Sequence, residues 1–111
     1  MAATVVLVHG AWHGAWCWDY VVERLRANHV EALAIDLPGH GTSTEPLGDL
    51  SVDAAALRSV LDDLEDAVVC GHSYGGAVIS EGAADHPAVR HLVYLAAIVL
   101  DVGESCSASV T

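Results

Sequence analysis

Ala67-Val68-Val69-Cys70-Gly71-His72-Ser73-Tyr74-Gly75-Gly76 is the stretch on which the reading of this chain turns. Its first four residues are apolar and largely β-branched without alternation, as in a strand covered on both faces of a parallel sheet. The next six hold Gly-x-Ser-x-Gly and lead into a small-residue helix that reaches about Asp85, where His86-Pro87 stops it. A serine on such a corner is forced into a strained backbone conformation that lifts its hydroxyl clear of the sheet. Gly71 and Gly75 let the neighbouring backbone close around it. The helix starting there also aims backbone N–H groups and its positive end at charge developing near Ser73. The bland alternative is a glycine-rich turn whose serine merely caps the helix; the strand before it and the helix after it favour the nucleophile corner.

Working outward, Thr4-Val5-Val6-Leu7-Val8 reads as a central strand ended by His9-Gly10, and Ala32-Leu33-Ala34-Ile35 as a second buried strand. Between them, Trp18, Val21, Val22 and Leu25 fall at helical spacing within residues 16–27. Residues 36–50 read as loop from their Pro and Gly content. Ser51 is a candidate cap for a helix with Asp53 in its first turn and an apolar face of Leu57, Val60, Leu61 and Leu64. A fourth strand is expected over His91–Ala97. Strands and helices alternate, and each crossover is too long for a hairpin. The expected fold is therefore α/β: a four-stranded parallel sheet in chain order 2-1-3-4 with helices on both faces.

The 111 residues suit one domain, and 53% hydrophobic against 17% charged composition supplies a core and argues against disorder. Fifteen acidic residues against four basic ones give a formal charge of -11, which repels phosphate backbones and anionic membrane surfaces, so no nucleic-acid partner is expected. Cys17, Cys70 and Cys106 are odd in number with no Cys-x-x-Cys pair, and read as reduced thiols of a cytosolic protein. Met1–Val8 holds no basic residue and its apolar run is short, so neither a signal peptide nor a membrane span fits. The expectation is a cytoplasmic protein without a membrane partner.

His9-Gly10-Ala11-Trp12 follows the first strand, whose end lies beside that of the third at the switch point of a doubly wound sheet. There the N–H groups of Ala11 and Tyr74 could converge on one oxyanion. The plainer reading has His9 bonded to backbone and Trp12 filling core. A dinucleotide site using Asp36 at the end of the second strand is disfavoured. Gly10 and Gly14 are spaced Gly-x-x-x-Gly, and His9, Trp12 and His13 crowd the place where a pyrophosphate needs close backbone approach. No metal is expected either, because His9 and His13 would share a face only on a helix.

Val5–Trp18, Ala34–Ser43 and Val69–Gly76 together resemble the α/β-hydrolases, and within them the small-esterase group that includes plant hydroxynitrile lyases and hormone methyl-esterases. The resemblance implies Ser73 as nucleophile and the N–H groups of Ala11 and Tyr74 as oxyanion hole. His9, Gly10, Gly71, His72, Gly75 and Gly76 would support them, with no cofactor and a small-molecule ester as substrate. It also implies that the four strands correspond to the third to sixth of the family's sheet. Gly10 stands where the lyase branch carries threonine, which favours ester hydrolysis over cyanohydrin cleavage.

Length is the larger departure. In the family the triad acid and histidine follow the serine along the chain, and here only 35 residues follow Gly76. His86 and His91 fall at the wrong end of the fourth strand, His72 should be packed, and His40 reads as a solvated turn residue. Asp101 is the one possible acid. Residues 1–111 are thus expected to be the N-terminal part of a hydrolase domain, without the cap region and C-terminal strands, and inactive alone. The exposed edge strand would offer a route to self-association. Whether the chain is an enzyme stays open, the alternatives being a non-catalytic binding remnant or lyase chemistry on the same fold.

Overall fold

The computed structural model describes residues 3–97. Its sheet is formed by β1 (Thr4–Val8), β2 (Ala32–Ile35), β3 (Ala67–His72) and β4 (Val89–Leu95), all parallel, in the order β2-β1-β3-β4. The helices are α1 (Asp19–Ala27), α2 (Leu50–Leu61) and α3 (Tyr74–Gly82), and α1 is preceded by a single 3-10 turn at Ala15–Trp18. Sheet order and helical crossovers agree with the sequence. The chain steps from β1 to β2 in one direction and returns across β1 to β3 and β4 in the other. Right-handed crossovers therefore put α1 on one face and α2 with α3 on the opposite face.

Val6 and Val8 of β1, Val69 of β3, Leu57 and Leu61 of α2, and Val78 and Ile79 of α3 form the buried core on the α2/α3 face. On the other face α1 contributes no buried residue, and only Trp18 of the preceding turn is enclosed. The amphipathic stripe of α1 is present in the sequence, but its Val21 remains 37% exposed because little packs over it.

Three element boundaries differ from the sequence reading. Asp49, not Ser51, caps α2: its Oδ1 accepts the Val52 N–H at 3.0 Å. This start keeps Asp53, Leu57 and Leu61 together on the buried stripe. α3 stops at Gly82 rather than near Asp85, where the Arg58 guanidinium of α2 donates to the carbonyls of Gly82 and Ala84 at 3.1 and 2.8 Å. Those bonds satisfy carbonyls that a helix end leaves without internal partners. β4 runs from Val89 to Leu95 rather than from His91 to Ala97, because pairing begins where the Ala67 N–H donates to the Ala88 carbonyl at 2.8 Å. Ala96, at φ 44°, leaves the strand conformation.

Candidate active site

Ser73 sits between β3 and α3 at φ 56° and ψ -121°, a conformation that a residue with a side chain adopts at a cost and only where its surroundings enforce it. The enforcement comes from two glycines. A Cβ on Gly71 would stand 2.5 Å from the Gly75 carbonyl oxygen, and one on Gly75 would overlap the Val8 carbonyl oxygen and meet that of His9 at 2.8 Å. The first turn of α3 thus lies directly against the end of β1. Gly76 closes the corner by donating its N–H to the Ser73 carbonyl at 2.9 Å.

The same approach brings the loop after β1 onto Ser73. A Cβ on Gly10 would lie 3.2 Å from Ser73 Cβ and 3.3 Å from the His72 carbonyl oxygen. Ala11 and Tyr74, one from each loop, line a common cavity of ≈ 160 Å³ together with Trp12, His40, Leu47, Gly48 and Asp53.

His9 is fully buried and acts as a strut. Its Nε2 accepts the Leu37 N–H at 3.0 Å, which leaves the proton on Nδ1 to donate to the Gly10 carbonyl at 2.7 Å. Burial pushes its pKa below the usual histidine value, against the pull of the Gly10 carbonyl. With both nitrogens committed, the ring ties the end of β1 to the segment after β2. Trp12 is 85% exposed and fills no core.

Asp36 ties down the same loops. It accepts from the N–H of Ala15 at 2.7 Å and from the hydroxyl and N–H of Thr42 at 2.7 and 3.2 Å. Burial raises its pKa, but these hydrogen bonds outweigh that and hold the carboxylate below its ordinary range. Its oxygens are committed to the protein's own loops, which removes the basis for a ribose-binding role.

His72 is half-buried, with its ring centroid 6.3 Å from that of His13 and 6.4 Å from that of Trp18. His40 is buried rather than solvated: Nδ1 donates to the Pro38 carbonyl at 3.0 Å and the ring lies 5.0 Å from that of His9. His86 Nε2 is engaged with Asp62 at 2.8 Å, and His91 is exposed on β4 opposite Val68, toward the far end of the sheet. Among the described residues no histidine is hydrogen-bonded to the Ser73 hydroxyl. Asp101 and Cys106 lie outside the described residues. Cys17 and Cys70 are free thiols whose pKa values burial pushes up.

The sequence reading missed Asp53. This carboxylate, 1% exposed, accepts from the Tyr74 hydroxyl at 2.6 Å through Oδ2, while Oδ1 has no hydrogen-bond partner. Burial raises its pKa; the Tyr74 bond and the nearby His40 and His9 pull the other way. A signal was present, because Asp53 stands four and eight residues before Leu57 and Leu61, on the stripe that the helix buries.

A family model described as alpha/beta hydrolase family matches residues 5–109. The chain belongs to that family. Similar proteins of the hydrolase family include a carbendazim hydrolyzing esterase from Nocardioides sp., 40% identical over 113 residues, which span 96% of this chain and 46% of the relative. A pheophorbidase from Raphanus sativus is 36% identical over 109 residues, covering 92% of this chain and 41% of its own length. Among solved structures, an Arabidopsis methylesterase superposes with a TM-score of 0.84 at 32% identity, covering 93% of this chain and 47% of that one. The chain spans less than half the length of these relatives. Among the described residues no helix is long and apolar enough to cross a membrane.

Proposed function

We propose that this chain is the N-terminal part of a serine hydrolase acting on small carboxylic esters, with Ser73 as nucleophile and the N–H groups of Ala11 and Tyr74 as oxyanion donors. The observation that supports it best is the corner itself: a non-glycine residue at φ 56° between strand and helix, with the loop carrying Gly10 and Ala11 pressed against it. Esterases among the relatives favour the same chemistry.

In that chemistry Ser73 Oγ attacks the ester carbonyl while a base takes its proton, and the carbonyl oxygen gains negative charge. Two backbone N–H groups facing that oxygen stabilise it before the alcohol leaves and the acyl group stays on Ser73. Water then releases the acid. Gly10 lets the loop after β1 approach Ser73, since a Cβ there would stand 3.2 Å from Ser73 Cβ. On this reading the chain contributes the nucleophile and the oxyanion donors, and among the described residues no histidine is hydrogen-bonded to Ser73 to act as its base.

A fluorophosphonate probe and p-nitrophenyl acetate test the reading. The 111-residue protein should label slowly at Ser73, lose labelling in Ser73→Ala, and turn over ester at least ~1,000-fold below a complete esterase, as serine hydrolases do when a triad member is missing. Absence of any labelling would favour a binding remnant. Full turnover lost with Ser73→Ala and with His72→Ala or His40→Ala would place the base within these residues and overturn the proposed dependence on the rest of the fold.

A further inference from the structure

The cavity shared by Ala11 and Tyr74 holds a group that ester cleavage does not use. Asp53 forms part of its wall, and one of its two carboxylate oxygens is buried without a donor. Buried polar atoms are nearly always partnered, so one that is not calls for an explanation, and a carboxylate oxygen in a cavity wall suits a bound donor. Among the described residues none donates a hydrogen bond to that oxygen. His40 spends Nδ1 on the Pro38 carbonyl, and the Tyr74 hydroxyl already serves Oδ2. The rest of the lining, from Ala11, Leu47 and Gly48, is apolar or small. At the rim Trp12 is held at φ 68° with its indole turned to solvent, a second strained position on the same cavity.

Size and chemistry together narrow the occupant. A volume of ≈ 160 Å³ compares with the ~150 Å³ of an engineered cavity that takes up benzene, so one six-membered ring fits. A carboxylate among mostly apolar walls accepts hydrogen bonds, favours cations and repels anions. We propose that this cavity is a subsite for a ring-sized substituent carrying an ammonium or N–H donor, which bonds to the Asp53 carboxylate. The inference rests on the ester reading for its place in catalysis: with the ester carbonyl at the N–H groups of Ala11 and Tyr74, such a substituent enters the cavity that both residues line. The favoured substrates are then esters bearing an amino or N–H group about one ring away from the scissile carbonyl.

Binding of benzylamine, toluene and benzoate to the 111-residue protein at pH 7, followed by indole fluorescence and amide chemical shifts, tests this directly. Benzylamine should bind ~10-fold or more tightly than toluene, as a charge-assisted hydrogen bond implies, and benzoate should not bind. Asp53→Asn keeps an acceptor for Tyr74 and removes the charge, so it should abolish the preference for benzylamine and leave toluene unchanged. Leu47 is 62% exposed at the cavity wall, so Leu47→Arg is expected to fold and to bring a competing guanidinium that displaces benzylamine even if Asp53→Asn does not fold. Equal binding of benzylamine and toluene to the unaltered protein, or a preference that survives either substitution, overturns the subsite. Benzylamine preference without Ser73 labelling supports the subsite and overturns the ester reading alone; Ser73 labelling without the preference does the reverse.

Discussion

The two faces of the sheet are built to different standards. On the α2/α3 face Val6, Val8, Val69, Leu57, Leu61, Val78 and Ile79 are shut away from solvent, and both α2 and α3 pack over the strands. On the α1 face, cover is limited to one side of the sheet: Val68, Cys70 and His72 of β3 are half-buried, and His91, Val93 and Leu95 of β4 are exposed. A cavity of ≈ 260 Å³ lies there between Cys17, Trp18 and Val21 on one side and His72 and Leu95 on the other. The buried ring nitrogens His13 Nδ1 and Trp18 Nε1 lack partners on this side among the described residues. Ser73 stands at the seam between the faces. The closed face holds its backbone rigidly, because α3 abuts β1, whereas the open face leaves its other flank uncovered. The packing that fixes the corner therefore comes from the α2/α3 face.

The comparison breaks most readily at Gly75. Gly75→Ala drives a methyl group into the backbone at Val8 and His9, which cannot move without opening the closed face. It should cost about 3 kcal/mol or more in urea unfolding and abolish Ser73 labelling. An unchanged midpoint would mean that α3 does not sit against β1.

A paired truncation sharpens the contrast. Leu57→Ala, at a fully buried position, should lose about 2 to 5 kcal/mol, whereas Leu95→Ala, at a residue 52% exposed, should stay within about 0.5 kcal/mol. If the β4 edge mediates self-association, Val93→Glu should lower the apparent mass in light scattering with no loss of stability. Equal costs at positions 57 and 95 would show that β4 is covered in solution.

A smaller loss than at Gly75 or Leu57 is expected at the loops above the sheet. Asp36→Asn should cost about 0.5 to 1.5 kcal/mol at pH 7, since the N–H groups of Ala15 and Thr42 exchange a charged acceptor for a neutral one partly screened by solvent. A carboxylate whose folded pKa is depressed stabilises the fold above its unfolded value, here 3.8, and that contribution fades as pH falls through the folded value. The gap between the two proteins should accordingly close in acid and be complete above about pH 5. A gap that widens on acidification would contradict the hydrogen-bonding assigned to Asp36.

Much of this arrangement is legible in the chain itself. The unalternating run of β1 and β3, the crossover lengths and Gly-x-Ser-x-Gly together specify a parallel sheet of order 2-1-3-4 and a serine at a strand-to-helix corner. Those features depend on local periodicity and on steric demands that only glycine meets. What proved less legible depends on partners distant in sequence. Asp49 and Ser51 are both competent helix caps, and the choice between them follows from which residues α2 must bury. The last turn of α3 is set by Arg58, 24 and 26 residues away from the carbonyls it serves.

The histidines make the same point. The sequence already offered His9 as bonded to backbone but read His40 as solvated, and it is the packing of one ring against the other, with the Leu37 N–H and the Pro38 carbonyl as fixed partners, that makes both structural. Asp53 and Tyr74 are 21 residues apart and nothing in their spacing pairs them. The sequence by itself determined the fold class, the strand order and the identity of the corner serine, because these follow from patterns within one element or its immediate neighbours. Only the tertiary structure decided which polar groups are spent on holding loops, which are left buried without a partner, and which face of the sheet stays open. Burial and hydrogen-bond satisfaction are properties of surfaces that meet only once the chain has folded.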